Sequence, residues 1–111
     1  MELKQLQKKV DDYISQFEEG YFPPLSNLAR LIEETGELAR ELNHTCGPKR
    51  KKESESQECG IKEEMGDILF TLAVLANQLD VNLDEAVNGV LAKYQIRDLK
   101  RWTLKSPLEE K

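Results

Sequence analysis

Apolar residues recur at three- and four-residue intervals through four separate stretches of this chain, a spacing that makes each stretch one face of an α-helix. The first runs from about Glu2 to Glu19 and carries Leu3, Leu6, Val10, Tyr13, Ile14 and Phe17. Gly20 and Pro23-Pro24 stop it. A second helix is predicted from an N-cap at Ser26 to about Asn43, with Leu28, Leu31, Ile32, Thr35, Leu38, Ala39 and Leu42 as its stripe. Residues 44–57 break the pattern with Gly47-Pro48 and a basic block at 49–52, so a flexible loop is expected there. The third helix is predicted from about Glu58 to Leu79, with Ile61, Met65, Ile68, Leu69, Leu72, Leu75, Ala76 and Leu79. A turn at 80–82 leads to a fourth, from Leu83 past Tyr94 and extending or bending toward Trp102. Runs of β-branched residues are absent, so the expected fold is all-α, a four-to-five-helix bundle. A single domain is expected over residues 1–103, with 104–111 frayed.

Composition narrows the function classes. A net charge of -5 argues against a nucleic-acid binder that relies on general phosphate attraction. The N-terminal residues contain no apolar core of a secretory signal, and the apolar run from Ile68 to Ala76 is too short to span a bilayer. A cytoplasmic protein with no membrane partner is expected. The same run is apolar nearly all round, with Phe70 and Val74 pointing away from the stripe centre. A helix of that kind is buried on every side, so a partner subunit is expected to cover the second face, the alternative being burial under the first helix. His44, Cys46 and Cys59 offer three zinc donors at no standard spacing, and the paired Glu-x-x-His motifs of a di-iron bundle cannot be built from a single histidine.

Two acidic segments interrupt the apolar stripes. Glu33-Glu34-Thr35-Gly36-Glu37 lies in the second helix and Glu64-Met65-Gly66-Asp67 in the third. At about 100° per residue, Glu34, Glu37 and Glu41 cluster on one edge of the second helix, and Glu33 stands roughly 100° round from Glu34. Glu64 and Asp67 occupy the matching edge of the third helix, with Thr71 one turn on, while Glu63 points away. Packing the stripes brings four carboxylates together. Like charges on a buried edge repel and are costly to desolvate, so a hard cation held by oxygen is the compensating partner. Gly36 and Gly66 sit mid-helix, where glycine costs about 1 kcal/mol against alanine, and would leave room for close helix approach or a bulky ligand.

The pair EETGEL and EEMGDILF resembles the EExxE, gap, ExxD pattern of the MazG family of all-α nucleoside triphosphate pyrophosphohydrolases. Glu33, Glu34 and Glu37 fill the first half, Glu64 and Asp67 the second, with 26 residues between Glu37 and Glu64. YFPPLSNLARLIEETGELARE resembles the family's entry to the first motif helix, and the likeness spans about residues 20–102. The resemblance implies a helical bundle of the all-α NTP pyrophosphatase type, a homodimer or homotetramer, that cleaves an NTP or dNTP to the monophosphate and pyrophosphate with Mg²⁺, or Mn²⁺ in its place. It implies Glu34, Glu37, Glu64 and Asp67 as metal ligands, with Glu33 and Glu34 as catalytic carboxylates, Glu33 orienting or activating a water. Asn27 matches a family position near the base, and Lys93, Arg97 and Arg101 fall in a region that contacts phosphates, although Asp98 stands where Asn is common. The basic block at 49–52 is a second phosphate-contacting candidate, as a lid. The alternative from another class is a catalytically silent helical module that binds nucleotide or protein.

Overall fold

A computed structural model describes residues 1–46 and 60–106 of the chain. Four helices follow one another: α1 (Leu3–Ser15), α2 (Pro24–Cys46), α3 (Ile61–Gln78) and α4 (Leu83–Leu99). No strand occurs among the described residues. None of the helices is long and apolar enough to cross a membrane among those residues.

Local chemistry sets the helix ends, and several differ from the sequence expectation. The Glu2 amide donates to Gln5 Oε1 at 2.8 Å, half of a reciprocal capping box at the head of α1. α1 ends at Ser15 rather than Glu19. Tight turns follow, with Phe17 N donating to Ile14 O and Gly20 N to Phe17 O, and they close on Gly20 at a φ of +61° that favours glycine. α2 starts at Pro24, not after Ser26: proline's fixed φ suits the first helical position, and its missing N–H is one that has no intrahelical partner anyway. Ser26 therefore lies inside the first turn, its amide donating to Pro23 O at 2.9 Å. α2 also runs on to Cys46, so His44 is helical; the remainder of the expected loop, 47–57, lies outside the described residues. Glu58, the expected start of α3, lies outside them as well. Asn82 caps α4, its side chain accepting from Glu85 N at 3.0 Å, which bears out the turn at 80–82.

The core lies between α1 and α3. Val10, Ala73, Val74, Ala76 and Leu83 are buried together, with Leu3, Leu6, Ile14, Tyr21 and Phe70 packed around them. A polar clamp closes its lower end. Gln7 Nε2 donates to Asn77 Oδ1 and to Val81 O, Gln7 Oε1 accepts from Leu83 N, and Asn77 Nδ2 donates to Gln7 O and Tyr21 Oη. One glutamine thus ties α1 to the end of α3 and the start of α4.

This arrangement reverses one expectation. Phe70 and Val74 belong to the face that α1 covers, so they do not require a partner subunit. The expected stripes are split: Leu75 and Ala76 on α3 are buried, whereas Met65 and Leu72 on α3, and Leu28, Ile32 and Leu42 on α2, are exposed. α4 is held at its base against α1, where Leu83 is buried and Asp84 Oδ2 accepts from Lys4 N at 3.0 Å. Beyond that base, Val87, Val90, Leu91 and Tyr94 are exposed. The radius of gyration is 18.5 Å, against about 13 Å for a compact domain of this length. Among the described residues the single chain is therefore an open arrangement of three packed helices and an arm.

Candidate active site at the seam of two helices

On α2 the residues least exposed in their turns are Asn27, Leu31, Glu34, Leu38 and Glu41, spaced by four and three. This line, offset from the expected stripe, lies against α3. The seam therefore carries polar layers at both ends and in the middle. At one end Asn27, only 4% exposed, donates from Nδ2 to Gln78 Oε1 at 2.8 Å and to Phe22 O at 3.1 Å. At the other end Glu41 Oε2 accepts from the Gly60 amide at 3.2 Å, at the head of α3. A Cβ at Gly60 would stand 3.0 Å from Glu41 Cδ, so a larger residue there would require the Glu41 side chain to shift by a few tenths of an ångström.

The middle layer is acidic. Glu34, Glu64 and Asp67 each place an oxygen within 4.8 Å of the other two. Below them Thr71 is fully buried, its hydroxyl donating to Asp67 O at 2.8 Å rather than to a carboxylate. Glu64 Oε2 is inaccessible and has no hydrogen-bond partner. The Glu64 carboxyl is pushed up from 4.5 to about 7, first because it shares a hydrogen bond with Glu34, then by burial and by the negative charges of Glu34, Asp67 and Glu37. Hard oxygen donors that repel one another, with an orphaned buried oxygen among them, fit a divalent cation such as Mg²⁺.

The remaining sequence candidates are distributed around this layer. Glu37 lies one turn on, exposed, with Arg40 Nη1 3.8 Å from its Oε2; it is near enough to act on Glu64 through its charge but stands outside the close group. Glu33 is exposed and apart from that group. Nothing lies within 4 Å of a Cβ built on Gly36 or Gly66, so neither glycine serves close approach of α2 and α3. Lys93 and Arg97 lie on α4 and Arg101 just beyond it, over an arm that packs at its base on α1. Arg97 Cζ sits 4.4 Å from the Tyr94 ring centroid, and its Nε donates to Asp98 Oδ1 at 2.8 Å, which holds the Asp98 carboxyl below its usual range. Within one chain these cations are not packed into the acidic layer. The block at 49–52 lies outside the described residues, as do the side chains of Cys46 and Cys59.

A cavity of about 270 Å³ opens beside the seam, walled by Tyr13, Phe17, Phe22, Phe70 and Val74, with Asn27 and Arg30 among its lining. Tyr13 meets Phe17 and Phe70 edge-on, at centroid distances of 5.5 and 6.0 Å. The sequence showed Tyr13 and Phe17 only as members of the first helical stripe, and Phe70 as pointing away from the third. Arg30 was visible too, four residues before Glu34, and that spacing was the signal that could have found it.

The chain is similar to known proteins over most of its length. The family model of the MazG nucleotide pyrophosphohydrolase domain matches residues 22–102. The uncharacterized protein YpjD of Bacillus subtilis (strain 168) is 53% identical over 103 residues, covering 93% of this chain and 92% of its own. The crystal structure of YpjD superposes with a TM-score of 0.75 at 52% identity, covering 85% of this chain and 95% of that one. A crystal structure of the Bacillus-conserved MazG protein, a nucleotide pyrophosphohydrolase, superposes with a TM-score of 0.72 at 48% identity over 85% of this chain and 90% of that one.

Proposed function

This chain belongs to the MazG nucleotide pyrophosphohydrolase family, and we propose that it hydrolyses a nucleoside triphosphate, NTP or dNTP, to the monophosphate and pyrophosphate. The observation that carries this reading is the convergence of Glu34, Glu64 and Asp67 on the α2–α3 seam beside an aromatic cavity.

Glu34, Glu64 and Asp67 would hold Mg²⁺, with Glu37 joining from the next turn; Mn²⁺ is the natural substitute. When bound, the metal neutralises triphosphate charge and acidifies a coordinated water. Glu33, apart from the ligand group, orients the attacking water or takes its proton, and Glu34 shares that work at the inner edge. The water oxygen bonds to a phosphorus flanking the α–β bridging oxygen, the bridging bond breaks, and the bridging oxygen leaves on the other product. The cavity lined by Tyr13, Phe17 and Phe70 takes the base, where a planar ring stacks on aromatic edges and faces. Asn27 shapes that cavity, its amide protons committed to Phe22 and Gln78.

Oligomerisation completes the site. Leu28 and Ile32 on α2 and Met65 and Leu72 on α3 are exposed apolar side chains, and a second copy of the same hairpin would cover them. A homodimer or homotetramer built this way brings an α4 arm near each seam, so that Lys93, Arg97 and Arg101 contact phosphate across the interface. The working unit is residues 1–103, in the cytoplasm, where its substrates are.

The test is a panel of canonical and damaged NTPs and dNTPs with Mg²⁺, assayed for pyrophosphate. Release that disappears in Glu37→Gln and Asp67→Asn supports the reading; no release from any nucleotide rejects it.

A further inference from the structure

We propose that Arg30 binds the α-phosphate of the substrate, an assignment that rests on the pyrophosphohydrolase reading above. Arg30 is on α2 one turn before Glu34, with Nε 3.9 Å from Glu34 Oε1 and Cζ 5.8 Å from the centroid of Phe70. Its guanidinium thus stands on the wall shared by the acidic layer and the aromatic cavity. A nucleotide with its base in the cavity and its outer phosphates at the acidic layer passes its α-phosphate across that wall.

The resting partner of Arg30 is weak. The contact with Glu34 is at the outer limit of an ion pair, and the Arg30 side chain is about half exposed, so the pair contributes little. A guanidinium presents a planar fork that matches two phosphate oxygens, a stronger and more directional pairing than one loose contact with a carboxylate. Arg30 also competes with any cation for Glu34, so removing it does not weaken metal binding. The cations that the sequence offered for phosphate, Lys93, Arg97 and Arg101, lie on or beyond the α4 arm. Arg30 lies beside the acidic layer within the same chain. The α-phosphate stays with the nucleoside after cleavage, so Arg30 holds the monophosphate product and leaves the departing pyrophosphate untouched.

That asymmetry supplies the test. Wild type, Arg30→Ala and Arg30→Lys are compared on the best substrate of the NTP and dNTP panel. The corresponding monophosphate and inorganic pyrophosphate are each titrated by calorimetry in the presence of Mg²⁺. In Arg30→Ala, kcat/KM falls about 100-fold, and monophosphate affinity falls about tenfold. Pyrophosphate affinity and the melting temperature stay at wild-type values, and Mn²⁺ affinity does not fall. Arg30→Lys recovers only part of the loss, because an ammonium keeps the charge and loses the fork. Unchanged monophosphate affinity in Arg30→Ala, or an equal loss for monophosphate and pyrophosphate, overturns the assignment while leaving the enzyme's activity established. Absence of pyrophosphate release by wild type overturns the pyrophosphohydrolase reading and the assignment with it.

Discussion

Replacing Glu64 with glutamine should stabilise the metal-free protein at alkaline pH and leave it unchanged at acid pH. The Glu64 carboxyl is raised from 4.5 to about 7 by its hydrogen bond with Glu34, by burial, and by the charges of Glu34, Asp67 and Glu37. A raised carboxyl is protonated in the folded state at pH values where the unfolded chain has already lost the proton. Its contribution to stability is therefore fully present below about pH 4.5 and lost as the pH rises through about 7. A shift of that size corresponds to about 3 kcal/mol at 1.36 kcal/mol per unit. The layer opens partly to solvent, and screening reduces the effect to about 1 kcal/mol. For a chain of this length that is about 4–8 °C in melting temperature. The substitution Glu64→Gln isolates the charge, because the amide keeps the shape of the side chain and cannot ionise. Thermal unfolding is followed by circular dichroism in EDTA at pH 5 and pH 8, at one protein concentration. The variant should melt above wild type at pH 8 and by a much smaller margin at pH 5, where most of the contribution is still present, and added Mg²⁺ should reverse the order at pH 8. A variant that melts lower at pH 8 without metal, or a gap that is the same at both pH values, would refute the like-charge account of this layer.

Three further outcomes are expected. Glu34→Gln and Asp67→Asn should each cut pyrophosphate release roughly 1,000-fold by removing a charged metal ligand, with circular dichroism spectra unchanged; a variant within tenfold of wild type would remove that residue from the ligand set. Asn27→Ala should cost about 2 kcal/mol in denaturant unfolding, because Gln78 and the Phe22 carbonyl lose a buried donor; a cost near zero would mean water replaces the amide freely. Ile32→Asp or Leu72→Asp should turn the oligomer into monomer in light scattering, since either places a charge among the exposed apolar side chains of the hairpin. A wild type that runs as monomer would reject that interface outright.

Much of the fold was legible because periodicity reports directly on which residues share a helix face. All four helices were visible, and so was the turn at Asp80 to Asn82. The ends were less so. Ser26 has the chemistry of a cap, but the proline pair upstream already supplies the dihedral that starts a helix. Within the acidic motifs, the wheel separated Glu33 from Glu34 and joined Glu64 to Asp67, and in the structure Glu34, Glu64 and Asp67 lie together. It could not separate Glu37 from Glu34, which differ by less than a turn, nor see that Glu41 would instead accept from the Gly60 amide.

By itself the sequence determined that the chain is helical, where its acids fall and which helix edges they share, because those properties depend only on neighbours within a turn or two. The tertiary structure alone decided which face of α3 is the inside. Ile68 to Ala76 is apolar on nearly every side, so local pattern offers two faces of similar hydrophobicity, and α1 selects one by packing Val10 and Ile14 against Ala73, Val74 and Phe70. That choice leaves Met65 and Leu72 exposed and sets α2 against α3 along a line of Asn27, Glu34 and Glu41. It also forms the aromatic cavity from α1, α2 and α3 together, a place where no single helix carries the site and where Arg30 meets both Glu34 and Phe70.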